Sequence, residues 1–406
     1  MGAASVQSVW QFVPPLKFPI YRPRVEMSEI KISRVECFVF RAPIDVPVVA
    51  AFGVSYDRPV ILVRIEDQDG AVGWGEVWCN FPNSGAEHRA RWIETLLAPR
   101  ILNRTFESPE AAFDALTAET HVWTIQSGEP GTIAQCLGGI DIALWDLAAR
   151  RKGISLRQML SPAALDSVPA YASGINPDGA AEMVARSRGA GFRNFKLKIG
   201  FGKEKDIANI SQIVGELLDD ELFMADANQA WDLSTATDMV GELAEYPLTW
   251  LEEPLPADRP TEEWSALRAA SGISLAGGEN LRGEAAYRDL VRAGWCSFIQ
   301  PDACKWGGVT GSWRVVQMIA DEGLTYCPHF LAGGIGLVAS AHLLAAANGA
   351  GLLEVDFNTN PLREGLADPY PELVDGAFAL NDAPGLGVEP DLAAVQDMQV
   401  LHVEVT

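Results

Sequence analysis

Seven ionisable residues recur at near-constant intervals through the second half of this 406-residue chain. They are Lys198, Asp226, Glu252, Glu279, Asp302, His329 and Glu354, separated by 28, 26, 27, 23, 27 and 25 residues. Each stands at or just beyond the C-terminal end of a strand-like run. A single strand-end acid often caps a helix; seven in register describe one face shared by successive strand–helix units. Asp226, Glu252 and Glu279 end three consecutive runs. Three facing carboxylates repel one another unless a cation lies among them. A ligand set made only of oxygen, with neither Cys nor His, suits Mg²⁺. The plainer alternative is a salt-bridge cluster with Lys196, Lys198 and Lys305. Glu253, the next residue along, is expected to point away and to be structural. Lys196 and Lys198 are two apart on a strand and share a face. Two neighbouring ammonium groups lower each other's pKa, and a lysine near neutrality can act as a general base. Phe192, Phe195, Leu197 and Ile199 surround them, which argues against two solvated surface lysines. Asp302 and His329 end neighbouring runs. A carboxylate on one imidazole nitrogen fixes the tautomer and raises the basicity of the other. Of the five histidines, only His329 ends a strand-like run, and Gly333-Gly334-Ile335-Gly336 follows it.

The elements that must position these residues are legible as a pattern. Strand-like runs over 168–172, 195–199, 222–225, 248–251, 273–276, 297–299, 324–327 and 352–355 alternate with amphipathic helices such as 204–219 and 233–245. Eight strands with helices between them imply parallel crossovers, and a closed barrel is the economical arrangement. The first part reads differently. Residues 30–40 alternate apolar and polar. Runs 58–67 and 71–77 are joined by Gln68-Asp69-Gly70, a hairpin signal. Helical stretches follow over 85–99, 108–123 and 130–152, the last with apolar residues at helical spacing. The expected fold is an α+β domain over 29–158 and an α/β barrel over 159–358. A C-terminal segment, 359–406, ends in an alternating run at 399–405 and is expected to pack on the first domain.

Composition narrows the function. The hydrophobic fraction is 48% and the charged fraction 21%, enough for a large core. Net charge is −23, which argues against a nucleic-acid or anionic-membrane partner. An anionic small molecule can still enter a local cationic pocket. No stretch reaches the roughly 20 apolar residues of a membrane helix. Six cysteines without CxxC spacing read as reduced thiols of a cytoplasmic protein. Residues 1–26, with Pro14-Pro15, Pro19 and Pro23, lack a secretory pattern. They are expected to be an extension outside the fold, with the boundary set at 28.

The sequence resembles the mandelate racemase subgroup of the enolase superfamily from about residue 30 to 360. The marks are Lys196-Leu197-Lys198, Met224-Ala225-Asp226-Ala227-Asn228, Trp250-Leu251-Glu252-Glu253-Pro254 and Gly278-Glu279-Asn280. Pro301-Asp302-Ala303-Cys304-Lys305 before Gly307-Gly308, Cys327-Pro328-His329-Phe330 and Leu353-Glu354 complete them. The helix Gly139 to Leu147 is also similar to the segment leading into that family's barrel. The resemblance implies a capping domain on a modified TIM barrel, (β/α)₇β. It implies Mg²⁺ on Asp226, Glu252 and Glu279, and abstraction of the proton α to a substrate carboxylate. Lys198 would be one base; His329, with Asp302, would work on the opposite face. Lys196, Glu354 and Asn228 would contact substrate. The muconate-lactonizing branch carries Lys where Asp302 stands, so it is disfavoured. Trp306 replaces a residue that is often smaller. The subgroup implies a homo-oligomer.

Dehydration of an acid sugar is the expected overall reaction, with racemisation or epimerisation by two opposed bases as the alternative. The expected lid over 44–54 is mostly apolar, which counts against a polyhydroxy substrate; Asn80, Asn83 and Ser84 could supply polar contacts. A non-catalytic binding protein on this scaffold would be expected to lose a base or a metal carboxylate, and none is missing.

Overall fold

A computed structural model describes residues 28–406, so the expected N-terminal extension lies outside the described residues. The alternating run at 30–40 opens a longer strand, β1 (Ile30–Ala50), which pairs antiparallel with β2 (Gly53–Asp67). The pairing reaches Val48–Ser55 and Ala50–Gly53. The 44–54 segment is therefore the tip of a hairpin, not a loop. β2 turns through Gly70, at φ +83°, into β3 (Val72–Val77). The helix expected over 85–99 is interrupted: α1 (Gly85–Trp92) and α2 (Ala98–Ile101) flank a π-helical turn at Ile93–Leu97. A short strand, β4 (Thr105–Phe106), pairs with the start of β1. α3 (Pro109–Ser127) is capped by the Ser108 side chain and has Pro at its first position, a favourable start.

α4 (Pro130–Lys152) ends at a left-handed Gly153 and forms the centre of this capping domain. By length and composition it could cross a membrane, contrary to the expectation that no stretch of the chain could, but 89% of its most apolar window is buried inside the protein. It is a core helix lying against β3. The approach is close because Gly73 and Gly75 carry no side chain: a Cβ on Gly75 would overlap the Gly139 carbonyl oxygen. Gly75→Ala should therefore destabilise the protein by about 1–3 kcal/mol, the usual cost of overpacking. Thermal melting measures it, and an unchanged melting point would show that strand and helix can part without cost.

α5 (Leu156–Leu160) leads into the barrel. Its strands are β5 (Ser167–Ile175), β6 (Asn194–Lys198), β7 (Leu222–Asp226), β8 (Leu248–Glu252), β9 (Leu275–Gly277), β10 (Phe298–Ile299), β11 (Thr325–Tyr326) and β12 (Leu353–Asp356). They pair in parallel in chain order from β5 to β11, and β12 returns to β5. Between them run α6 (Ala180–Gly189), α7 (Lys203–Gly215), α8 (Leu233–Leu243), α9 (Thr261–Ala270), α10 (Glu284–Ala293), α11 (Gly308–Ile319) and α12 (Gly334–Ala347). Eight strands and seven helices give the (β/α)₇β barrel. Its interior is plugged by Tyr171, Met224, Trp250, Ala276, Cys327 and Leu352, a cluster separate from the main core. All six cysteines are free and buried. The C-terminal segment visits both domains. β13 (Leu373–Val374) and β14 (Ala377–Ala379) extend the barrel sheet beside β5, and β15 (Gln399–Val405) pairs antiparallel with β1.

Candidate active site

The parallel register brings the strand ends together. Lys198 stands opposite Asp226, and Asp226 opposite Glu252. Lys196 and Lys198, two apart on β6, are both buried. The Lys196 ammonium lies 2.6 Å from Glu252 and 2.7 Å from Glu354. Lys198 donates to Asp226 at 2.8 Å. Glu279 accepts from Lys305 at 3.0 Å, and its other oxygen is 2.5 Å from His329 Nε2. His329 Nδ1 is 2.8 Å from Asp302, whose second oxygen accepts from the Cys304 and Lys305 amides. Glu354 accepts from Ser173 Oγ at 2.5 Å and the Phe330 amide at 3.0 Å. Asn228, in a left-handed conformation, donates its side chain to Asp226 at 2.8 Å, and its own amide oxygen has no partner.

Among the described residues no three His, Cys, Asp or Glu side chains are drawn together as a ligand set. Each expected metal carboxylate is turned onto a cationic side chain, as the salt-bridge alternative has it. The charge, though, is incomplete. Five buried carboxylates (Asp226, Glu252, Glu279, Asp302 and Glu354) face the three lysines 196, 198 and 305 and one histidine. Glu252 shows the deficit. Burial, with the charges of Asp226, Glu354 and Glu279, outweighs Lys196 and pushes its carboxyl up to about 7. The donors are oxygens on adjacent strand ends, the chemistry of a small hard cation. The residues present therefore fit a divalent ion held by Asp226, Glu252 and Glu279.

Two expectations need correction. Burial and Lys196 push the Lys198 amine down, but Asp226 at hydrogen-bond distance outweighs them, and the net shift is upward. The lysine pair was legible in the sequence; the carboxylate beside it decides the sign. Glu253 also departs from expectation. Strand alternation stops at Glu252, and Glu253 takes a positive φ. Its buried carboxylate shares the Asn280 amide with Glu279, so it stands one amide away from the site. Burial, with the charge of Glu279, raises it well above the usual carboxylate range. At His329, burial alone would lower the imidazole, but Glu279, Glu354 and Asp302 raise it to about 10.

A cavity of about 350 Å³ opens above these groups, between the β1–β2 hairpin and the barrel mouth. Lys198, Asn228, Glu279, Lys305 and His329 line its floor. Val48, Val49, Phe52, Phe81 and Leu331 contribute apolar surface to its lining. Ser55, Asp57, Arg58 and Asn80 contribute polar groups. The apolar lid expected from 44–54 is thus joined in the lining by polar residues. Ser55, Asp57 and Arg58 carried no signal in the sequence, because only the hairpin's fold-back brings β2 over the barrel. Asn80 lines the cavity as expected, whereas Asn83 and Ser84 do not. Trp306 is also outside it, packed on Tyr287 with ring centroids 5.2 Å apart.

Comparison with known proteins agrees with this geometry. Residues 34–161 match the mandelate racemase / muconate lactonizing enzyme N-terminal domain, and residues 179–394 match the enolase C-terminal domain-like family. D-galactarolactone cycloisomerase of Agrobacterium fabrum is 29% identical over 91% of this chain and 99% of its own length. A crystal structure of a mandelate racemase/muconate lactonizing enzyme from Bordetella bronchiseptica RB50 is 49% identical, with TM-score 0.87, over 91% of this chain and 100% of that one. L-talarate dehydratase from Polaromonas sp. JS666, solved with Mg and L-glucarate, is 26% identical with TM-score 0.77, over 93% and 99%. With two family domains matched over most of its length, and the strand-end residues of its barrel gathered under the capping hairpin, the chain belongs to the enolase superfamily, as an enzyme of its mandelate racemase subgroup.

Proposed function

We propose that this enzyme removes the proton α to the carboxylate of a small hydroxy acid and then expels a β-hydroxyl, as an acid-sugar dehydratase. The observation that supports the reading is that a lysine and a histidine from well-separated strands of the barrel line one cavity floor. Lys198 ends β6 and His329 follows β11, with the buried carboxylates between them. Asp226, Glu252 and Glu279 would hold a divalent cation, which would supply positive charge where the substrate carboxylate gathers electrons. Lys196 is fully buried on Glu252 and Glu354 and does not line the cavity, so its positive charge would act on the same oxygens from behind these carboxylates rather than by contact. Lys198, held as an ammonium by Asp226 in the metal-free site, would be freed as an amine when Asp226 turns to the cation; it then takes the α-proton, and the C–H electron pair enters the enediolate. That pair then forms the Cα–Cβ double bond as the β-hydroxyl leaves. His329 Nε2–H protonates it to water, while Asp302 holds the imidazole by Nδ1. The resulting enol tautomerises to a 2-keto-3-deoxy acid. Ser55, Asp57, Arg58 and Asn80 offer the hydrogen bonds that substrate hydroxyls need on leaving water.

The same pair equally favours a second reading, racemisation or epimerisation, in which His329 returns the proton on the other face. Proton NMR of acid sugars and α-hydroxy acids incubated with the enzyme in D₂O separates the two. Dehydration predicts 2-keto-3-deoxy product. Racemisation predicts α-deuterium in both epimers with no loss of water. No exchange and no product across both substrate classes would overturn both readings.

A further inference from the structure

The end of β3 crosses from the capping sheet to the barrel and meets both loops of the Asp302–His329 pair. On β3, Gly73 and Gly75 face α4, so the alternate positions face elsewhere. Glu76 accepts hydrogen bonds from the Gly333 amide at 2.5 Å on one oxygen and from the Gly336 amide at 2.8 Å on the other. Asn80 donates to the Leu331 carbonyl at 2.5 Å. Between them, the Trp78 amide donates to the Cys304 carbonyl at 3.2 Å. Three residues of the capping domain thus hold the chain two residues after Asp302 and two to seven residues after His329.

These contacts meet a specific need. Residues 327–333 have no regular secondary structure, and α12 starts at Gly333-Gly334. The first amides of a helix lack partners within it, and Gly333 has no side chain with which to cap them. Glu76 supplies that cap from another domain by accepting from two of these amides; burial pushes its carboxyl up to about 7. It is fully buried and does not line the cavity. The fit is close: a Cβ on Gly333 would come within 2.8 Å of the Glu76 carboxylate.

We propose that Glu76 is a positioning residue, assisted by Asn80: the segment 76–80 clamps the loops bearing Asp302 and His329 and fixes where His329 Nε2 enters the cavity. The proposal rests on the reading of His329 as a proton-transfer group. The roof of the cavity and the aim of one base are then set by the same hairpin-bearing sheet. Lys198, within β6, is held by the barrel ladder and does not depend on the clamp.

Glu76→Gln tests this in the full-length enzyme with Mg²⁺. It keeps the shape but places an NH₂ group against one of the two glycine amides, so one bond is lost. Hydrogen exchange of the peptide spanning 329–337 should accelerate at least about tenfold, with the rest of the barrel unchanged. In D₂O, α-proton exchange on the His329 face should fall by about a hundredfold, the weight of a misplacement near 1 Å. Exchange on the Lys198 face should stay close to wild type. Equal loss on both faces, or unchanged amide exchange in 329–337, would overturn the clamp. If the wild type exchanges on neither face, the proposed function falls, and amide exchange still decides the clamp by itself. Should Glu76→Gln fail to fold, Asn80→Ala removes the Leu331 contact together with one polar group of the cavity, so amide exchange and not turnover is its readout. Faster exchange in 329–337 is then expected, smaller in size, and its absence counts against the proposal.

Discussion

Replacing His329 with Asn should lower overall turnover by roughly two to four orders of magnitude, the usual weight of a positioned acid or base. Asn keeps a polar group of similar size but can neither take nor return a proton. The same variant should still exchange the α-proton that Lys198 serves, because Lys198 sits on β6, away from the lesion, held by Asp226. Lys198→Ala should show the mirror behaviour, with exchange surviving only through His329. Asp302→Asn should resemble a milder His329 lesion. It keeps a hydrogen-bond partner near Nδ1 but removes the charge that fixes the tautomer. Face-resolved exchange in D₂O, measured beside turnover, reads all three. Near wild-type turnover in His329→Asn would make the dyad structural. Lys198 would then have to take the proton and assist the leaving group alone, which removes the racemase reading as well.

What the sequence disclosed, and what it hid, follows from the range of each interaction. The barrel was legible because its strand ends are local and repeat at a near-constant interval, so Asp226 and Glu252 could be expected side by side before any register was known. The His329–Asp302 contact was legible for the same reason, being one unit long. Lys198 and Asp226 are also one unit apart, and their contact was foreseen as a salt bridge; what spacing does not give is the balance of opposing effects that sets the sign of the lysine's shift. Partners at long range were not legible. Nothing near Arg58 tells that β2 folds over the barrel to meet Asp356, 298 residues away. The extent of the hairpin was missed because its tip is exposed: Val46 and Phe52 are 70% and 62% accessible, and no buried face imposes alternation there. Glu76 stands beside glycines needed for α4 packing, and only the structure brings its carboxylate to Gly333 and Gly336.

Removing divalent metal should abolish turnover, and Mg²⁺ alone should restore it. Stabilising the enediolate charge by a metal is worth several kcal/mol, so a loss of about three orders of magnitude is expected at 1.36 kcal/mol per decade. Activity alone cannot assign the ligands; stability can. Five buried carboxylates face three lysines and one histidine, so the metal-free site carries unbalanced negative charge, and an ion that binds there must stabilise the fold. At a hundred times its Kd, Mg²⁺ should add about 2.7 kcal/mol to unfolding, seen as a rise in melting temperature. Glu252→Gln separates the two contributions. The amide can keep a hydrogen bond with Lys196 or with Gln300, which lies 2.6 Å away, while one of the repelling charges is gone. The metal-free variant should then melt no lower than the metal-free wild type, and it should lose most of the Mg²⁺-induced rise. Glu279→Gln should lose the rise too. A full Mg²⁺ shift in both variants would place the ion elsewhere. Turnover untouched by EDTA would leave Asp226, Glu252 and Glu279 as partners of Lys198, Lys196 and Lys305 and nothing more.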